Sequence, residues 1–251
     1  MLTLTVDCGG GAMKAGVVGD DGALVGEAIR RDAPYPLGPD AFADLIVDLS
    51  SKFPAADRAT VGMPGMIRRG VVVHTPHYIT MAGPDTPVLS SLVAAWSGHD
   101  AAAALSERLG VPTIVLNDAE VHGYGVIAGQ GVETVLTLGT GLGSAIFVDG
   151  VLAPHLELSQ APSLAVETWD RHIGQSTRLT LGIDRWSSRV LKMIDALRPV
   201  ILWDRLYLGG GGAHLLAEGA IAVLPADVTV VPNSSALPGG AKAWERYEPT
   251  A

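Results

Sequence analysis

The strongest constraint on the fold is a pattern that the chain carries twice. Leu2 to Val6 is a short β-rich run, followed by Gly9, Gly10 and Gly11, the apolar run Ala15 to Val18, the pair Asp21-Gly22, and Ala23 to Ile29. From Thr134 the same order returns: a β-rich run, then Gly139, Gly141 and Gly143, then Ser144 to Val148, the pair Asp149-Gly150, and Val151 to Ala153. Each copy reads as strand, tight turn, strand, hairpin, strand, because apolar β-rich runs broken by Asp-Gly favour antiparallel pairing. The duplication predicts two α/β lobes around a cleft, one over residues 1–116 and one over 117–235, with the tail 236–251 assigned to the first.

Between and after the copies lie segments of other character. Residues 40–52 carry Phe42, Leu45, Ile46 and Leu49 at helical spacing, and 88–109 is Ala-rich, so both are expected as helices over a sheet. Ala59 to Val61 and Thr113 to Leu116 are short apolar runs ending at Met-Pro-Gly and at Asn-Asp, as buried strands do when they deliver functional turns. Glu167 to Leu197 reads as largely helical, and Trp203 to Leu208 as a strand that runs into Gly209 to Gly212 and an Ala/Leu helix. Trp169, Trp186 and Trp203 are expected in the core or at a lobe interface rather than as sugar platforms, and the last eight residues are expected to fray.

Composition narrows the function. With 251 residues, 48% of them apolar, and 31 scattered glycines, the chain can bury two cores and does not have a disordered composition. A net charge of −9 argues against a dedicated nucleic-acid binder, which needs a basic face. Cys8 is the only cysteine, so an intramolecular disulfide and a multi-cysteine structural zinc site are both excluded, and a cytoplasmic location is expected. The opening MLTLTVD has no signal-peptide pattern and no run of about 18 apolar residues follows, so no membrane partner is expected.

Three glycine turns each follow a β-like run: Gly9-Gly10-Gly11, Gly139-Thr140-Gly141-Leu142-Gly143 and Gly209 to Gly212. Glycine there permits unusual backbone angles and lets N–H groups approach an anion unobstructed by Cβ, which points to phosphate binding. No GxxxxGK[ST] is present, so a P-loop is excluded, and Gly139 to Gly143 does not match GxGxxG, which disfavours a nicotinamide-dependent dehydrogenase.

Asp7 to Lys14, Gly62-Met63-Pro64-Gly65, Leu116-Asn117-Asp118-Ala119, Leu136 to Ser144 and Leu208 to Gly212 occur in an order that resembles the ROK family of bacterial sugar kinases and transcriptional relatives, especially its polyphosphate glucokinase branch. The likeness covers nearly the whole chain and is most specific from Thr134 to Val151. It implies an actin-like, ribonuclease-H-like pair of α/β lobes and phosphoryl transfer from ATP or polyphosphate to a hexose hydroxyl, with Mg2+. Asp118 would then be the base and Gly65, Asn117, Glu157, Gln160 and Glu167 sugar-side groups. Asp7, Gly9, Gly10, Gly11 and Lys14 would meet the donor phosphates, with Asp7 a magnesium ligand, and Gly139, Thr140, Gly141, Gly143, Gly209, Gly210 and Gly211 would hold the donor from the second lobe. A homodimer is a further implication.

Three features depart from that family pattern. Gly11 stands where a hydroxyl residue is usual, Gln160 where a sugar-binding histidine is usual, and His74-Thr75-Pro76-His77-Tyr78 where an asparagine-bearing sugar loop is usual. They keep open a catalytically degenerate sugar- or nucleotide-binding protein and a donor hydrolase. A ROK-type repressor is disfavoured, since no helix-turn-helix segment precedes the first strand. Six Lys or Arg between Arg171 and Arg198 (171, 178, 185, 189, 192 and 198) read either as a groove for a polyanion or as a solvated helix face.

Overall fold

The computed structural model describes residues 1–84, 86–164 and 167–247. They form two compact units, Met1–Gly125 with the segment from Ser234, and Val126–Asn233. The first unit begins with β1 (Leu2–Cys8), β2 (Ala12–Gly19) and β3 (Ile29–Asp32) and continues through α1 (Pro39–Ser50), β4 (Arg58–Met63), β5 (Met66–Arg68) and β6 (Val71–His74). Helices α2 (Ser90–Trp96) and α3 (Ala101–Leu109), β7 (Thr113–Asn117) and α4 (Asp118–Tyr124) follow. Its main sheet has the order β3-β2-β1-β4-β7, with β2 antiparallel to both neighbours and β1, β4 and β7 parallel.

The sequence explains these choices locally. β1 and β4 are buried almost continuously, as strands covered on both faces must be. Pro39 in the first turn of α1 fits the helix start, where a missing N–H costs nothing. α3 starts at Asp100, whose side chain accepts from Ala103 N, and stops at Gly110 in the left-handed conformation. The core gathers Val6, Val61 and Val115 from the strands, Phe42, Ile46 and Leu49 from α1, and Leu105 from α3. Tyr78, Phe42 and Trp96 cluster within it, with Phe42 5.6 Å from each of the other two ring centroids.

The second unit repeats the plan. Its elements are β8 (Val132–Leu138), β9 (Leu142–Val148), β10 (Val151–Leu152), α5 (Trp169–Ile173), α6 (Gln175–Leu181), α7 (Ile183–Ile201), β11 (Arg205–Gly209), α8 (Glu218–Ala222) and β12 (Val228–Val230). The order β10-β9-β8-β11-β12 has the same antiparallel and parallel senses as the first sheet. Trp169, Trp186 and Trp203 all lie in its core.

The chain then returns to the first unit as α9 (Ala236–Arg246). Gly240 lets this helix approach β1, since an added Cβ would stand 2.3 Å from the Thr5 side chain. Thr60 Oγ1 donates to Gly240 O over 2.8 Å and accepts from Trp244 Nε1 over 2.9 Å. The expectation of fraying from Trp244 is therefore corrected as far as Arg246; residues 248–251 lie outside the described residues.

Other expectations are corrected as well. The third strand is Ile29–Asp32 rather than Ala23 to Ile29, where Leu24 makes only an isolated bridge to Val18. The Ala-rich segment 88–109 is broken into two helices, with Gly98 at φ +78° in the break. The helix expected after Gly212 is a 3₁₀ turn, Ala213–Leu215, followed by the short α8. The boundary between units falls after α4 rather than at 116/117, because α4 packs on β4 and α9. The β5–β6 hairpin, β12 and α9 were not anticipated. No helix among the described residues is long and apolar enough to cross a membrane.

Candidate active site

Three parallel strands of the first unit end together. In register, Asp7 of β1 lies opposite Gly62 of β4, and Met63 of β4 lies opposite Asn117 of β7. In open α/β sheets the carboxyl ends of parallel strands are where ligands are met, and here they carry Asp7, the Gly62-to-Gly65 turn and Asn117-Asp118.

Asn117 closes β7 and caps α4. Its Oδ1 accepts from Ala119 N over 2.8 Å while Glu120 Oε2 accepts from Asn117 N over 2.9 Å, a reciprocal capping box. Its Nδ2 donates to Gly65 O over 2.8 Å. Gly65, at φ +113°, has no room for a side chain: a Cβ would stand 2.3 Å from His74 O. Asp118 is the first residue of α4 and is half-buried. A Cβ at Gly62 would stand 3.2 Å from its Cα, so β4 needs a small residue there.

Asp7 pairs in register with Lys14 across the β1–β2 hairpin. Burial pushes its carboxyl up to about 6, against the opposing pull of the Lys14 ammonium. Burial also raises the Cys8 thiol, helped by the negative charges of Asp7 and Asp118, which places both carboxylates within electrostatic reach of one side chain. In the turn itself, Gly9 N donates to Ala12 O over 3.0 Å and Tyr35 Oη donates to Gly10 O. Gly11 has open space where a side chain would sit.

The second unit brings its two glycine turns together. β11 and β8 pair Gly209 with Thr137, and Gly212 N donates to Leu138 O over 2.7 Å. Gly210 is at φ +78°, and a Cβ there would stand 2.5 Å from Leu138 O. Gly139 N donates to Gly141 O over 3.0 Å, Gly143 lies in β9 opposite Thr137, and Thr140 O accepts from Gln175 N. Asp170 Oδ1 accepts from Leu142 N over 2.9 Å, so a carboxylate already sits on one N–H of this turn.

Glu157 is held from both sides. Ser159 Oγ donates to Oε1 over 2.6 Å, and His155 Nε2 lies 3.3 Å from Oε2. Burial pushes the Glu157 carboxyl up, but the bonds from His155 and Ser159 outweigh it and hold the group below the usual carboxylate range. Gln160 is exposed and its Nε2 donates to Ser159 Oγ over 3.1 Å, so it reaches Glu157 only through the hydroxyl. Glu167 lies 2.9 Å from His172 Nδ1 and accepts from Arg189 Nη1 over 3.3 Å. A hollow of about 440 Å³ is lined by Gln160, Glu167, Thr168, Asp170 and Arg171.

Sequence reasoning named Asp7, Asn117, Asp118, Glu157 and Glu167 but missed His155 and Ser159 beside Glu157, His172 beside Glu167, and Tyr35 and Asp170, which bind the backbone at two glycine turns. Arg189 was read only as part of a basic stretch. The signal for Asp170 was its place in the first turn of a helix capped by Thr168. Among the described residues no group of three or more His, Cys, Asp or Glu is arranged to hold a metal ion.

Two matching sheets, each ending in glycine turns and carboxylates, define a two-lobed α/β protein of the actin-like ATPase fold. The chain belongs to the ROK family, which it matches over residues 3–154. It is 29% identical over 253 residues to a polyphosphate glucokinase of Mycobacterium tuberculosis (strain ATCC 25177 / H37Ra), covering 95% of this chain and 89% of that protein. Among solved structures it is similar to an inorganic polyphosphate/ATP-glucomannokinase from Arthrobacter sp. strain KM, with a TM-score of 0.80, 25% identity, and coverage of 98% and 99% of the two chains. A ROK family glucokinase from Streptomyces griseus, solved with glucose and AMPPNP, shares the fold at a TM-score of 0.73 and 16% identity, with coverage of 97% and 99%.

Proposed function

We propose that this chain is a glucokinase-like sugar kinase that transfers a phosphoryl group from ATP or polyphosphate to a hexose hydroxyl. The observation that carries this reading is the shared edge of β1, β4 and β7, where Asp7 and Asn117-Asp118 end the two parallel strands that flank β4. Family membership and the kinase relatives support it.

In this reading Asp118 accepts the hydroxyl proton as the acceptor oxygen bonds to phosphorus, and the bond to the leaving oxygen breaks to release ADP or a shortened polyphosphate. Most of the rate then comes from positioning and charge neutralisation. Asn117, fixed by its bonds to Gly65 and Ala119, orients the acceptor, while Glu157 and Glu167 accept from other sugar hydroxyls. Lys14 and the turns 9–11, 139–143 and 209–211 hold the donor. Asp7, a single half-buried carboxylate, suits magnesium that arrives with the donor's phosphates, because that ion is commonly held by one or two carboxylates plus substrate oxygens. Magnesium there would neutralise charge on the phosphoryl group. Such a reaction belongs in the cytoplasm.

Incubating purified protein with Mg2+, a hexose panel and either ATP or polyphosphate tests the reading. Formation of a hexose phosphate is expected, and no transfer from either donor to any sugar overturns it. Binding of sugar and donor without turnover would favour a degenerate binding protein, a reading motivated by the Asp170 carboxylate that already sits on the 139–143 turn. Donor consumption indifferent to sugar would favour a hydrolase.

A further inference from the structure

We propose that Ser159 is a positioning residue for the sugar acceptor, whose buried hydroxyl fixes the Glu157 carboxylate in place to receive the acceptor's hydroxyls. The inference rests on the kinase reading above, which puts Glu157 on the sugar side. An ionised carboxylate only accepts hydrogen bonds, whereas its protonated form carries an O–H that competes as a donor. A group that holds Glu157 ionised and still therefore controls how well a sugar is met.

Ser159 lies buried in the 3₁₀ turn Leu158–Gln160. Its Oγ donates to Glu157 Oε1 over 2.6 Å and accepts from Gln160 Nε2 over 3.1 Å. The second bond reinforces the first. A hydroxyl has a single hydrogen, and with the Gln160 amide filling a lone pair of the same oxygen, that hydrogen is directed at the carboxylate. The turn that carries the pair is itself pinned. From β9, Ser144 Oγ donates to Leu156 O over 2.7 Å and accepts from Leu158 N over 3.4 Å. From α5, Trp169 N donates to Ala161 O over 3.0 Å. A short bond from a buried donor on a pinned turn is the kind of support that preorganises a binding carboxylate.

The hydroxyl also acts on charge. The Glu157 side chain is only 17% exposed, so burial works against its ionised form, and the bonds from Ser159 and His155 reverse that balance. Among the elements packed on the turn, β9 carries no ionisable side chain, while α5 and the residues before it bring Glu167, Asp170, Arg171 and His172. These four and His155 are common to wild type and to any Ser159 variant, so a difference between the two proteins reports the hydroxyl.

Steady-state transfer to glucose, with whichever of ATP and polyphosphate wild type uses, is measured for wild type and S159A across the acid and neutral pH range, alongside the Kd for AMPPNP. At neutral pH S159A is expected to raise the glucose KM by about tenfold, the size of one hydrogen bond to a charged group, with kcat and AMPPNP Kd little changed. Loss of the bond moves the Glu157 carboxyl upward, so kcat/KM for glucose is expected to begin its fall at a higher pH than in wild type as the buffer is made more acidic. S159C, which keeps the size of the side chain and has a weak S–H donor, is expected to lie between the two. A merely structural role for Ser159 would lower the unfolding temperature and leave the acid limb where it is. An unchanged glucose KM in S159A, or a raised KM with an unmoved acid limb, overturns the assignment. If S159A does not fold, S159C decides by the same two readings. Wild type that phosphorylates no hexose overturns the kinase reading and this inference with it, whereas wild-type transfer that S159A leaves intact overturns the inference alone.

Discussion

Asn117 Nδ2 donates to Gly65 O over 2.8 Å, joining the end of β7 to the turn after β4, while Oδ1 of the same side chain caps α4 at Ala119 N. One amide thus fixes both the turn after β4 and the helix that begins with Asp118. Asn117→Ala is expected to lower stability by about 1–2 kcal/mol, as removal of a helix cap does, and to raise the sugar KM. Asn117→Asp keeps the capping oxygen but sets a carboxylate oxygen against Gly65 O where the amide donated. It is expected to lose stability as well and to raise the sugar KM; a wild-type KM in that variant would sever the link between this bond and acceptor binding.

Asp118→Asn preserves the shape of the first residue of α4 and removes its basicity. A loss in kcat of about 10²-fold or more is expected, the range for a general base, with the unfolding temperature and the affinities for glucose and AMPPNP little changed. Retention of more than a tenth of wild-type kcat would remove Asp118 from the role of base.

The parts legible in the sequence were those governed by local rules. The Asp-Gly turns and β-rich runs gave both copies of the hairpin plan, and Asn117-Asp118 was recognisable because a cap follows a buried strand. What escaped depends on long-range packing. The β5–β6 hairpin is only three and four residues long, and α9 contains Gly239 and Gly240, which weaken a helical pattern but permit contact with Val121 and Thr5. The partners of Glu157 and Glu167 are likewise products of folding: Arg189 reaches Glu167 from 22 residues away, from the middle of α7. The contact of His77 with Gly10 spans 67 positions and has no sequence signature.

Gly141 is required by the carboxylate that lies on its turn. A Cβ there would stand 1.8 Å from Asp170 Oδ1, the atom that accepts from Leu142 N. Gly141→Ala is therefore expected to push Asp170 aside, orphan the Leu142 N–H and destabilise the protein by more than about 1 kcal/mol. Asp170→Ala in the Gly141→Ala background relieves the collision, so the double variant is expected to lose less stability than the sum of the two singles. Denaturant unfolding of the four proteins measures the coupling, and strict additivity would place the clash elsewhere.

His122 sits one helical turn beyond Asp118, is almost fully buried, and has no hydrogen-bond partner for Nε2 among the described residues. Burial pushes its pKa from 6.5 down to about 4, with the nearby Lys14 charge adding to the effect. Between these values the unfolded chain holds a proton that the folded chain does not, so stability rises with pH. The contribution is fully present above 6.5 and is lost as pH falls from 6.5 to about 4, amounting to about 3 kcal/mol if the whole shift is realised. His122→Leu removes the titration and the orphaned nitrogen while keeping an apolar side chain in the site. Relative to wild type, its unfolding free energy is expected to gain progressively as the buffer is taken from pH 7.5 to 4.5, since the other titrating groups are common to both proteins. A difference that stays constant over that range would mean that the folded protein takes up a proton at His122 as readily as the unfolded chain, and that the helix carrying Asp118 tolerates the charge.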